Sequence, residues 1–207
     1  MMKKPVKEIP ANYRLFWKFD LTRVRELFWL NFFSLVLLFA AMILFGFFIY
    51  WQRSADITIP THYRPPRVSE ALNFFAQLFG TVAVMILVHE GLHGLFFWIF
   101  TGTRPRFAFK LYYAYASAPG WFIPRWQYFF ISLAPLLGIT FFAVLGVLHL
   151  PAVFLLPLYL LVIFNSSGAV GDLWVTGRLI SAPSGTMIRD FGDAIEFYRP
   201  SAEDSAA

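Results

Sequence analysis

The sequence predicts an all-α membrane protein of four transmembrane helices, with a short interfacial β-strand or hairpin after the second. Three observations predict it. Of 207 residues, 58% are hydrophobic and 20% aromatic, including 26 Phe, which is more apolar surface than a soluble domain of this length buries. The apolar residues gather into four runs, each long enough at ~1.5 Å per residue to cross a ~30 Å hydrocarbon core. All 17 Lys and Arg side chains fall outside those runs.

Taken in order, residues 1–26 form a basic arm carrying Lys3, Lys4, Lys7, Arg14, Lys18, Arg23 and Arg25. The first span, 27–50, starts too late and runs too long for a cleaved signal peptide. A polar loop over 51–70 follows, in which Pro60, Pro65 and Pro66 oppose a continuous helix. The second span covers 74–100. Between 107 and 115, Phe107, Phe109, Leu111, Tyr113 and Tyr115 alternate with Ala108, Lys110, Tyr112 and Ala114, and Pro119-Gly120 closes the stretch. That period of two predicts a strand or hairpin at the interface; an aromatic belt anchoring a loop reads the same residues equally well.

The third span, 126–148, is expected to break or kink near Pro135. Pro151-Ala152 turns tightly into the fourth, which runs to about residue 175. The polar tail, 181–207, is expected to be a short surface helix or disordered, with no site in it. The chain thus divides into an arm (1–26), a four-span domain (27–180) and a tail (181–207).

Four spans place both termini on one side. Fourteen basic residues share that side, against Arg53, Arg64 and Arg67 on the other, so both termini are expected in the cytoplasm. The formal net charge of +5 follows from this placement. No basic stripe interleaves with stacking aromatics, so nucleic acid is not an expected partner and the bilayer is. With no Cys, thiolate metal sites, disulfides and cysteine nucleophiles are excluded.

Of the 12 acidic residues, only Glu90 and Asp172 fall inside the expected spans. Glu90 belongs to His89-Glu90-Gly91-Leu92-His93, an H-E-x-x-H pattern. Residues four apart share one helix face, so His89 and His93 can hold one divalent ion. Glu90, about 100° round the helix, can reach a water on that ion without binding it. Ionisable groups in hydrocarbon are costly and are kept there for a task. Asp172 lies at a similar depth in the fourth span and is the candidate third ligand, leaving a tetrahedral position for water. It could instead pair with Arg178 or cap a helix break. Asn165, two turns before Asp172, is a candidate donor to a substrate or an oxyanion, or the partner in an ordinary interhelical hydrogen bond. Gly91, Gly94, Gly168 and Gly171 are expected to let helices approach closely. His62 and His149 belong to neither motif.

An H-E-x-x-H within a span, followed by Asp172 in Asn165-Ser166-Ser167-Gly168-Ala169-Val170-Gly171-Asp172, resembles the site-2-protease group of intramembrane zinc metalloproteases. More narrowly it resembles a zincin-peptidase family of bacterial membrane proteins. Ala134-Pro135 matches a kink that the group carries between the two motifs, and the resemblance covers roughly residues 71–178. It implies Zn2+ on His89, His93 and Asp172, with Glu90 as general base and a membrane-associated peptide or protein as substrate. It also implies residence in a bacterial inner membrane. Leu173 stands where the better-known members have Gly after the Asp, and Gly168 and Gly171 replace their prolines.

The reading that results is an intramembrane zinc metalloprotease. Its rivals are a metal or proton transporter and a non-catalytic partner-binding protein that keeps the site for stability. A transport path needs polar groups across the whole bilayer and is often built from repeated halves. The first span has no ionisable residue, and no internal repeat is visible.

Overall fold

The computed structural model describes residues 4–57, 64–110 and 113–201. Expectations that fall on Lys3, Pro60, His62, Leu111, Tyr112 and the end of the tail lie outside them. The elements are β1 (Tyr13–Asp20), α1 (Val24–Arg53), α2 (Val68–Thr101), β2 (Arg106–Lys110), β3 (Tyr113–Ser117) and β4 (Phe122–Pro124). They continue with α3 (Arg125–His149), α4 (Leu155–Gly168), α5 (Val170–Ser181), β5 (Met187–Asp190) and β6 (Ala194–Pro200).

Helices α1, α2 and α3 are each long and apolar enough to cross a membrane, and α4 with α5 makes a fourth candidate if the bent pair counts as one span. Only 17% of the most apolar window of α1 and 6% of that of α2 is buried. Phe39, Phe47, Phe79, Leu87, Phe141 and Phe142 are among the large apolar side chains left exposed. Faces of that kind are incompatible with water over such an area and compatible with lipid.

The expected break in the third span is corrected. Helix α3 runs unbroken through Pro135. The interruption falls instead in the fourth candidate span, where α4 ends at Gly168 and α5 leaves at 49°. The amide of Ala169 closes α4 on the Asn165 carbonyl at 2.9 Å. Of the four glycines expected to pack helices closely, only Gly94 abuts another group, the Phe107 ring and Pro105; a Cβ on Gly91, Gly168 or Gly171 would meet nothing within 4 Å.

The all-α expectation is also corrected. The hairpin after α2 is present as β2–β3, with Phe107 opposite Ala116 and Phe109 opposite Ala114. Beyond it, the arm, the tail and the segment just before α3 supply a four-stranded antiparallel sheet in the order β1-β6-β5-β4. The tail is therefore not a surface helix or disordered through residue 200. Its strands are short and polar in composition, yet Met187, Ile188 and Phe197 are fully buried. In β1 the Trp17 ring meets the Phe197 ring edge-on at 4.7 Å, and Lys18 pairs in register with Glu196. Aromatic contacts of this kind hold a sheet whose strands show no clean apolar alternation.

The chain divides into two compact units. The first (1–32, 90–135 and 170–207) holds both sheets and a core around Phe97, Ile123, Tyr128, Ile131, Leu179 and Phe197. Its β5–β6 turn depends on Gly192, at φ +89°, where any Cβ would also overlap the Tyr115 ring. The second (33–89 and 136–169) packs around Phe45, Ile49, Ala143, Val147 and Val162. There Ser34 Oγ bonds Ser167 at 2.7 Å, and Arg53 donates to the carbonyls of Val147 and Leu150 that end α3.

Candidate metal centre

The division between the units passes through α2 between His89 and Glu90, but the helix is continuous there. One helical turn therefore fixes His89 against His93. Both rings are buried, at 6% and 8% exposure. In an apolar run such groups need a partner for every polar atom.

Each ring has its Nδ1 committed. His89 Nδ1 lies 2.9 Å from Asn165 Oδ1, and His93 Nδ1 lies 2.8 Å from the Ile131 carbonyl oxygen. Both oxygens are acceptors, so Nδ1–H donates in each ring, which makes Nε2 the nitrogen that would ligate. A metal-ligating imidazole is commonly set this way, with its second nitrogen donating to a carbonyl or amide. Asn165 is fully buried, and its Oδ1 faces His89.

The Ile131 contact has a cause in the sequence. Within α3 the carbonyl of residue 131 would accept from the amide of residue 135. That residue is Pro135, which has no N–H. The carbonyl is thereby left for a donor outside the helix, and His93 supplies it.

Asp172 sits in the first turn of α5, where the helix dipole favours a carboxylate. Its Oδ1 is 3.3 Å from His93 Nε2, with its side chain 21% exposed. Ligand atoms of His89, His93 and Asp172 all lie within 4.8 Å of one another. Two imidazoles whose Nδ1 atoms are bonded elsewhere and one carboxylate are the donor set for a zinc ion with an open fourth position, so the residues fit the ion. Glu90 stands outside this set and is partly exposed.

Two further residues flank the site and were not singled out by sequence. Tyr128 donates to Asp190 Oδ2 at 2.5 Å, and both are buried. The Gly192 amide donates to the other oxygen at 2.7 Å. Burial pushes the Asp190 carboxyl up to about 6, against the pull of the Tyr128 and Gly192 hydrogen bonds, and it also feels the charges of His93 and Asp172. Behind Asp172, Thr176 Oγ1 bonds Ser132 at 2.8 Å. One face of α3 thus braces three neighbours: Tyr128 holds β5, Ile131 holds His93 and Ser132 holds α5. The missing donor of Pro135, four residues beyond Ile131, is the sequence signal that points to this face.

No curated protein and no solved structure matches the chain. A family model described as "Putative zincin peptidase" matches residues 82–187, a stretch that contains the H-E-x-x-H helix, α3 and Asp172. On that match, the chain belongs to this family of zincin-type metallopeptidases.

Proposed function

We propose that the protein is an intramembrane zinc metalloprotease of the site-2-protease kind, hydrolysing peptide bonds of membrane-associated substrates. The observation that carries the reading is the meeting of the His89, His93 and Asp172 ligand atoms within 4.8 Å, with both Nδ1 atoms already bonded. A zinc ion held there would supply a Lewis acid for a scissile carbonyl and acidify a water beside it.

The chain's own residues do the rest. His89 and His93 present Nε2, oriented by Asn165 and by the Ile131 carbonyl. Glu90, one residue along α2 from His89, takes a proton from the attacking water. The water oxygen adds to the carbonyl carbon. Glu90 then delivers the proton to the amide nitrogen as the C–N bond breaks, leaving a carboxylate and an amine. The partial exposure of the Asp172 side chain leaves an approach for water and an unwound peptide. Strand β2, largely exposed, offers an edge to which an extended substrate could add as a strand.

The test is Glu90→Gln in the full chain, reconstituted with a fluorogenic transmembrane peptide carrying helix-breaking residues. Loss of one general base is expected to lower cleavage by about 100-fold or more, while zinc content equals that of the wild type. Equal cleavage by both proteins would overturn the reading. Zinc flux across vesicles without cleavage would favour a transporter instead.

A further inference from the structure

A cavity of about 340 Å3 that shares no lining residue with the metal centre is lined by Lys7, Arg104, Arg106, Ser117 and Trp121 among others, and by no acidic side chain among the described residues. We infer that it holds the phosphate of an anionic phospholipid, binding one lipid headgroup where the chain leaves the bilayer. The inference rests on the membrane reading above but not on the metal chemistry.

The cavity's walls follow from the chain's course. Gly102, at φ +68°, ends α2 in the left-handed conformation and donates to the Trp98 carbonyl at 2.8 Å. The chain then turns through Thr103 and Arg104 into Arg106 on β2. On the opposite wall, Ser117 ends β3, and the Trp121 indole N–H donates to Thr103 Oγ1 at 2.9 Å. Val6 exchanges backbone hydrogen bonds with Phe122, which brings Lys7 over the Trp121 ring at 5.5 Å.

Charge argues for an anion. Among the described residues, Lys7, Arg104 and Arg106 take part in no ion pair. Elsewhere in this unit Lys18 pairs with Asp20 and Glu196, and Lys110 with Asp193. Three like charges around one concavity repel each other unless an anion enters.

Position argues for a lipid. Thr103 lies two residues past the end of α2, and Trp121 four residues before α3 begins, both helices being candidate spans. At ~3.3 Å per residue, that keeps the cavity within roughly 13 Å of two span ends. The headgroup layer lies there, and anionic phosphates are its most abundant anions. Phe107 and Phe109 on the adjoining hairpin, and Trp126 at the start of α3, are exposed, as expected of side chains set against acyl chains and glycerol.

The test uses the full chain in phosphatidylcholine nanodiscs doped with phosphatidylglycerol, counting co-purified lipids per chain by native mass spectrometry. The wild type is expected to retain phosphatidylglycerol over phosphatidylcholine by about tenfold or more, at roughly fivefold per basic contact. In Arg104→Gln/Arg106→Gln, and more weakly in Lys7→Gln, that ratio should fall towards one. Lys110→Gln, the same charge change outside the cavity, should leave it unchanged. No preference in the wild type, or an equal loss in Lys110→Gln, overturns the assignment. Displacement of the lipid by excess inorganic phosphate would mark a free-phosphate site and overturn it too. A chain that stays out of the nanodiscs sinks the membrane reading together with this one, whereas incorporation without lipid preference sinks this one alone.

Discussion

His93 shows how a single side chain is set for ligation: its Nδ1 proton is held by the Ile131 carbonyl, and its Nε2 faces Asp172. Beyond it, the buried Asp190 makes a prediction of its own. Its carboxyl is raised to about 6, so between its ordinary value and 6 the folded chain binds more protons than the unfolded one. Stability owed to this group is therefore highest at low pH and is lost as pH rises through that window. In metal-free protein, Asp190→Asn should gain on the wild type by about 2 kcal/mol between pH 4 and pH 7. Thermal unfolding in detergent at the two values measures this, and a difference that does not change with pH would contradict it. At this scale, the grouping of His89, His93 and Asp172 was legible because ionisable groups inside apolar runs stand out. Asp190 was not, because an acid in a polar tail looks solvated until Tyr128, 62 residues earlier, is seen to cover it.

Among the elements, α3 does the most to organise the site. Replacing Pro135 by Ala restores an amide that competes with His93 for the Ile131 carbonyl. The expected result is a loss of about tenfold in zinc affinity, in the range of second-layer partners of metal-bound histidines, without a fall in thermal stability. Competition with a chelator of known affinity reads the first and unfolding in detergent the second; unchanged affinity would remove Pro135 from the site's support. The long helices were legible to within about six residues of their observed ends, since hydrophobic runs of that length have few other uses. The sheet was not. β1 pairs with β6 across nearly the whole sequence, and the buried side of β6 is set by one fully buried Phe197, so no local period announces it. Pro135, the stronger local signal for a break, is absorbed by an intact helix whose freed carbonyl finds His93, and the interruption falls at Ala169 instead.

For the whole molecule, the exposed apolar faces of α1 and α2 are compatible with a lipid surround. The chain should stay in the membrane pellet after carbonate extraction and leave it only with detergent; release by carbonate would contradict a spanning arrangement. Within such a surround, the partly exposed Glu90 and Asp172 beside two buried imidazoles make sense chiefly around a cation. The most direct test of that claim is the zinc content of the purified full chain with X-ray absorption at the zinc edge. One zinc per chain, with two nitrogen and one carboxylate oxygen neighbours at about 2.0–2.2 Å, retained in Glu90→Gln and lost in His93→Ala and Asp172→Ala, is the predicted result. A chain that binds no zinc, or that binds it equally well without Asp172, would contradict the account.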